Sequence, residues 1–209
     1  MVQIKREYKK EEKEYWYPPG HGDIYLSLVK SGVLEKLRKR GIEYLFVSNF
    51  DNLGATLDLS LLTFICSQKK DLYLELAQKT ERDIKGGTPI HFRGGLKMLE
   101  VAEVPEEHRS EFCDISKFRL FNTNNLWIRL EAVDPLLPLD VIYNPKEVEG
   151  EKVVQLETAM GAALKYYSSS LCISVPRTRF RPVKNQIDLE YLQSPRFRLT
   201  ETYEIEEVE

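Results

Sequence analysis

The stretch EYLFVSNF (43–50), followed by DNLGA (51–55) and then TLDLSLLTFICSQ (56–68), decides the fold class. A short continuous apolar run ending in polar residues reads as a strand buried on both faces, and the segment after it returns to helical spacing. Strand, polar loop and helix in that order make a βα unit, so the chain reads as α/β. Upstream, residues 24–41 predict a helix that starts after Asp23 as N-cap, has apolar residues at Ile24, Leu28, Leu34 and Leu37, breaks at Ser31-Gly32 and ends in a basic turn before Gly41. Downstream, DLYLELAQ (71–78) reads as a strand, and TPIHFRGGLKMLEVAEV (88–104) as a hairpin turning at Gly94-Gly95. Further strands are expected at KFRLFNT (117–123), DVIYN (140–144), VVQL (153–156) and CISVP (172–176), with helices over 126–133, Trp127 among them, and 158–167. The sum is a mixed sheet flanked by helices.

The chain has 209 residues, 42% hydrophobic and 30% charged, which suits one globular domain and argues against disorder. With 30 Lys+Arg against 33 Asp+Glu, whole-molecule charge gives no reason to expect nucleic acid or an anionic membrane as partner. Three scattered cysteines form neither a disulfide framework nor a CxxC zinc site, and no apolar run is long enough for a signal peptide or a membrane span. These features together read as cytoplasmic. Three parts are expected: a charged segment (1–14), a body (15–193) and an acidic tail (194–209), with both ends loose or docked on something else. HExxH, GxSxG, Walker and GxGxxG patterns do not occur.

Three loops place glycines and polar groups after a strand or before a helix, where ligands bind in open α/β sheets. In WYPPGHGD (16–23), Gly20 and Gly22 permit close backbone approach on either side of His21, though the loop read alone is first a rigid turn with a surface histidine. In SNFDNLGA (48–55), Asp51 suits a divalent cation held between phosphates, and Asn49 can both donate and accept. An Asx-turn leading into a capped helix reads equally well. In VPRTRFRPVKN (175–185), an extended backbone would put Arg177, Arg179 and Arg181 on one side as a cationic ridge, which makes Arg177 and Arg179 phosphate-steering candidates. A charged edge strand is the plainer reading. FNTNNLW (121–127) adds three amides, and Glu157 falls near a helix start; either is also ordinary capping chemistry.

WYPPGHGDIY, EYLFVSNFDNLGATLDL, KGGT (85–88), KFRLFNTNNLW, VIYNPKEVEG, VVQLETAMGAA and VPRTRFRPVK occur in one order and spacing. That series resembles the eukaryotic-type UDP-glucose pyrophosphorylases over residues 15–193. The resemblance implies part of a glycosyltransferase-A-like, Rossmann-type nucleotidyltransferase domain that handles UTP, glucose 1-phosphate, UDP-glucose and pyrophosphate with Mg²⁺. It implies that Gly20 lies along the nucleotide, that His21 meets the sugar-phosphate region, and that Asn49, Phe50, Asn124 and Glu157 bind substrate. Asp51 would hold the metal, and Lys184 would neutralise phosphate charge as the catalytic cation. The family's upstream glycine-rich UTP loop and its C-terminal β-helix have no counterpart here. The connection after Cys66 is also shortened, and Pro89 and Arg93 depart from the family pattern in the hairpin. The resemblance thus predicts a chain inactive on its own, apolar surface on the sheet, and a partner chain supplying the upstream half. The competing reading is a non-catalytic sugar-nucleotide or sugar-phosphate binding remnant. An N-acetylglucosamine 1-phosphate enzyme fits WYPPGHGD and FNTNNLW less well, and RNA binding lacks a stacking platform.

Overall fold

A computed structural model describes residues 2–3, 16–148 and 150–208. In chain order its elements begin with β1 (Val2–Gln3), β2 (Trp16–Tyr17), α1 (Ile24–Lys30), α2 (Val33–Lys39), β3 (Tyr44–Val47), α3 (Leu59–Gln68), β4 (Leu72–Gln78), β5 (Thr88–Phe92) and β6 (Gly95–Leu99). They continue with α4 (Arg109–Phe112), β7 (Leu120–Arg129), β8 (Val141–Val148), β9 (Glu151–Thr158), β10 (Ser170–Ser174), α5 (Gln186–Leu192), β11 (Phe197–Leu199) and β12 (Ile205–Glu207). No helix among these residues is long and apolar enough to cross a membrane.

The central sheet has the order β10-β4-β7-β3. β10 runs parallel to β4, while β7 runs antiparallel to both β4 and β3. Three strands therefore share one direction, and their C-terminal ends open on one edge. Strict alternation divides the core. Leu72, Leu74, Leu126 and Ile128 face Tyr25, Leu28, Leu34, Met160 and Leu164, whereas Tyr73 and Trp127 face Ile65 of α3. The second face is tied by Phe46 stacked on Trp127 at 4.3 Å and by the Tyr73 hydroxyl donating to the Ile65 carbonyl at 2.8 Å.

Several expectations hold. The first helix does break at Ser31-Gly32, because Gly32 takes a left-handed conformation between α1 and α2. The other helix after β3 and the strands of 71–78, 140–144, 153–156 and 172–176 are all present. Others are corrected. β3 is half-buried at one edge of the sheet, and the strand buried throughout is β4, from Leu72 to Ala77. Residues 126–129 are strand, because β7 is hydrogen-bonded on both sides and its alternating Leu126, Trp127 and Ile128 need opposite faces; only Leu130–Ala132 make a single 3-10 turn. Met160–Tyr166 is likewise a 3-10 helix and not an α-helix. The hairpin turns at Arg93-Gly94, both at positive φ, because Phe92 pairs with Gly95. Asp23 makes no side-chain cap bond to the backbone; its carboxylate accepts from the Ser27 hydroxyl at 2.7 Å.

Apart from Val2–Gln3, which pair with β2, the charged segment 1–14 lies outside the described residues. The acidic tail, expected to be loose or docked elsewhere, closes as the β11–β12 hairpin. Its acids have local partners, Arg196 with Glu207 at 2.7 Å and Arg198 with Glu206 at 2.9 Å.

Candidate active site

The loops after β3, β4 and β10, together with the first half of β7, meet at the edge where the parallel strands end, which is where an open α/β sheet leaves its crevice. The β3 and β10 loops bring the two catalytic candidates into contact. The Lys184 ammonium pairs with Asp51 Oδ2, and the backbone beneath is joined by the Val183 N–H donating to the Asp51 carbonyl at 2.9 Å. Asp51 Oδ1 is buried without a hydrogen-bond partner. A buried anionic oxygen left bare is costly unless a cation completes it. Among the described residues no three His, Cys, Asp or Glu side chains gather as a metal cage. The residues thus fit an ion that takes one carboxylate and draws its remaining ligands from phosphate and water, as Mg²⁺ does.

Next to this pair lies a cleft of about 330 Å³ whose lining includes Asn49, Lys85, Glu100, Asn122, Asn124 and Lys184. Asn124 stands at φ 60, where the β4–β7 register shifts. That left-handed residue turns Asn125 into the core while leaving Asn122 and Asn124 at the cleft, the Asn122 amide donating to Asn124 Oδ1 at 3.0 Å. Burial pushes the Glu100 carboxyl above the usual carboxylate range and Glu103 adds to the rise, with Lys79 opposing. Its oxygens stand at the cleft as acceptors for a hydroxylated ligand. The sequence reading misses Glu100 because the expected hairpin absorbs it, whereas the second strand ends at Leu99 and Glu100 is the N-cap of the next 3-10 turn, in a capping box with Glu103.

A second cleft, of about 260 Å³, continues on the other side of Asn49 and takes in His21, Ser48 and Met160. Gly20, at φ 88, carries the His21 loop against β9 so closely that any Cβ would collide with the Thr158 backbone, so only glycine fits. The Met160 N–H donates to His21 Nδ1 at 3.0 Å, which requires an unprotonated Nδ1. His21 keeps part of its surface open to solvent, yet the packing around its ring desolvates it enough to hold the pKa below its ordinary 6.5, while the nearby Glu157 pulls the other way. Folding therefore favours the neutral ring. Stability from this contact is complete above the unfolded value of 6.5 and declines as pH falls through it toward the lower folded pKa. In chemical denaturation across pH 7.5 to 5, the wild-type chain is expected to lose stability on the acid side and His21→Asn to show a flatter profile; equal slopes would remove the contact.

The arginine loop departs from the expected ridge. Arg177–Arg179 form a 3-10 turn, so their side chains diverge. Arg179 is no phosphate-steering group: it is buried, with Nε 2.7 Å and Nη2 2.8 Å from the two Glu75 oxygens. Glu75 also accepts from Trp127 Nε1 at 2.8 Å and from Asn125 Nδ2 at 3.0 Å. Arg177 is paired with Asp83 at 2.7 Å and packs against the Phe121 and Phe180 rings. Phe50 is fully exposed and lines neither cleft. Glu157 flanks His21 and accepts weakly from Asn144 at 3.5 Å.

The site is therefore a polar crevice at the ends of the parallel strands, with a carboxylate–lysine pair at its rim and a cleft on either side of Asn49. The sequence model described as UTP–glucose-1-phosphate uridylyltransferase matches residues 1–208, and the chain belongs to that family. The uridylyltransferase of Solanum tuberosum is 49% identical over 194 residues, 90% of this chain and 41% of the relative; that of Dictyostelium discoideum, numbered 2, is 45% identical over 88% of this chain and 38% of its own length. A mutant UDP-glucose pyrophosphorylase of Leishmania major, solved in complex with UDP-glucose, superposes with a TM-score of 0.81 at 41% identity, covering 93% of this chain and 46% of that one. A structure described as a UDP-glucose phosphorylase from Trypanosoma brucei gives a TM-score of 0.82 at 40% identity, covering 93% of this chain and 44% of that one. The chain thus spans well under half the length of the relatives it matches.

Proposed function

We propose that the chain forms the sugar-phosphate side of a uridylyltransferase that makes UDP-glucose and pyrophosphate from UTP and glucose 1-phosphate. In that reaction a phosphate oxygen of glucose 1-phosphate attacks the α-phosphorus of UTP. The bond from that phosphorus to the β-phosphate oxygen breaks, and its electron pair leaves with pyrophosphate. The observation that carries the reading is the meeting of Asp51 and Lys184 at the mouth of the cleft that holds Asn49 and Asn124. Asn124, Asn122 and Glu100 supply acceptors and donors for sugar hydroxyls, Asn49 stands between the two clefts, and Lys184 offers a positive charge to the phosphates. Asp51 would hold Mg²⁺, which when bound supplies charge neutralisation between phosphate oxygens. The glycine-rich UTP loop expected from the family would come from a further segment or a partner chain, and the scattered cysteines and short apolar runs of the sequence support a cytosolic setting.

The test is uridylyl transfer and pyrophosphorolysis by this chain together with an upstream half, with Asp51→Ala beside the wild type. Mg²⁺-dependent turnover is expected to disappear in Asp51→Ala while unfolding is little changed, because the substitution removes a bare buried oxygen along with one solvent-screened ion pair to the exposed Lys184. Near-normal turnover of Asp51→Ala across a Mg²⁺ titration would remove the metal assignment. Binding of sugar phosphate without any turnover, with the upstream half present, would favour the binding remnant.

A further inference from the structure

The Asp51–Lys184 pair needs something to hold it in register. Lys184 has 61% of its side chain exposed and Asp51 31%, and an exposed ion pair alone gives a preference of only about fivefold or less. That is too little to align two loops from opposite sides of the sheet. The residue between them in every sense is Asn52, which is 5% exposed and absent from the roles discussed so far. Its Oδ1 accepts from Gly54 N–H at 3.2 Å in its own loop and from Arg181 N–H at 2.8 Å in the other. Its Nδ2 donates to the Arg179 carbonyl at 3.1 Å and to Asn125 Oδ1 at 3.2 Å. The backbone follows the same seam: Asn52 and Pro182 form an antiparallel bridge, and Leu53 N–H donates to the Arg181 carbonyl at 3.1 Å. Gly54 lets the strands come that close, since a Cβ there would strike the backbone of residues 178–180.

We propose that Asn52 is a positioning residue that welds the Asp51 loop to the Lys184 loop, so that the carboxylate and the ammonium are delivered to the reacting phosphates as one unit. A side-chain amide suits the task because it donates and accepts at once, and all its bonds are satisfied inside the seam. The catalytic meaning rests on the roles proposed for Asp51 and Lys184; the weld itself is measurable without turnover.

The experiment is limiting acetylation of the chain with acetic anhydride well below its thermal transition, with Lys184 labelling read by peptide mass spectrometry against exposed Lys30. A lysine held by a carboxylate has to leave its partner before it reacts. Asp51→Asn is expected to raise relative Lys184 labelling by up to about fivefold. Asn52→Ala is expected to reproduce most of that rise. Asn52→Ser, whose hydroxyl keeps the bond to Gly54 N–H but falls short of the other loop, should do the same with a smaller burden on folding. Ile65→Val, which trims the core on the α3 side, should label like the wild type. Wild-type labelling in Asn52→Ser, no response in Asp51→Asn, or an equal rise in Ile65→Val would each overturn the proposal. In the complete enzyme, Asn52→Ser should lower kcat at nearly constant KM for glucose 1-phosphate. Raised labelling with unchanged kcat would leave the weld standing and overturn the roles given to Asp51 and Lys184.

Discussion

Arg179→Ala is expected to destabilise the chain by about 3–5 kcal/mol in urea unfolding, the range for removing one partner of a buried ion pair. Total stability for a domain is about 5–15 kcal/mol, so the variant should stand near the edge of folding. The reason lies in what is left behind. Glu75 has no exposed surface and sits in the middle of β4, flanked by Leu74 and Leu76. Without the guanidinium its charge would have only two hydrogen-bond donors, Trp127 Nε1 and Asn125 Nδ2. Glu75→Gln should be similarly costly, because it leaves the Arg179 cation buried beside a neutral amide. Replacing both partners by apolar residues, often neutral for an isolated buried pair, is not expected to be neutral here, because the Trp127 and Asn125 donors would then lack their acceptor at about 1–3 kcal/mol each. A loss below about 1 kcal/mol for Arg179→Ala would mean that water reaches the carboxylate, contrary to its burial.

Lys184→Ala, assayed in a complete catalytic context, is expected to lower kcat and kcat/KM together by about 10²–10³-fold, equivalent to about 2.7–4 kcal/mol, the range for deleting one preorganised charge-stabilising group. In the proposed reaction negative charge shifts among the phosphate oxygens as the attacking oxygen arrives and pyrophosphate departs, so a cation fixed beside them would act on the transition state more than on bound substrate. Lys184 is placed for it, since its loop is anchored by the Val183 N–H to the Asp51 carbonyl and its ammonium is exposed at the cleft mouth. Arg177→Ala should be milder, because that guanidinium is already engaged by Asp83 and the Gln78 carbonyl. A KM-only effect for Lys184→Ala, or a larger kcat loss for Arg177→Ala, would reverse this division.

How much of this was legible in the sequence follows from which interactions are local. The Gly32 break, the strands with clean boundaries and the polar loop after β3 are written in neighbouring residues, and each was readable. Asp51 was readable as a candidate from its place after a strand, whereas Lys184 stood out as the catalytic cation only through the family resemblance. What the chain hides is long-range. Asn122, Asn124 and Asn125 look alike on paper, yet one left-handed residue sends two to the cleft and one to the core. Arg179 and Arg177 stand two residues apart in a basic run, but only Glu75, over a hundred positions away, decides that Arg179 turns inward. The strand character of 126–129 is also set from outside, by partners on both sides of β7 overriding helix-like spacing.

The pairing of β10 with β4 joins Ser170 to Leu72, a separation that bears on how the chain reaches its native state. Parallel strands so distant must close a long loop before any contact rewards them, which makes such pairings slow to form. β4 carries Glu75, and the counter-ion for Glu75 arrives only with the segment that follows β10. Without that segment Glu75 would lack its guanidinium, and hydration of the charge would oppose docking of β4 against α3. The same late segment brings Lys184 to Asp51. The segment from β10 onward thus both completes the sheet and assembles the crevice, and chains in which it is undocked should expose the β4 edge and bind hydrophobic dyes.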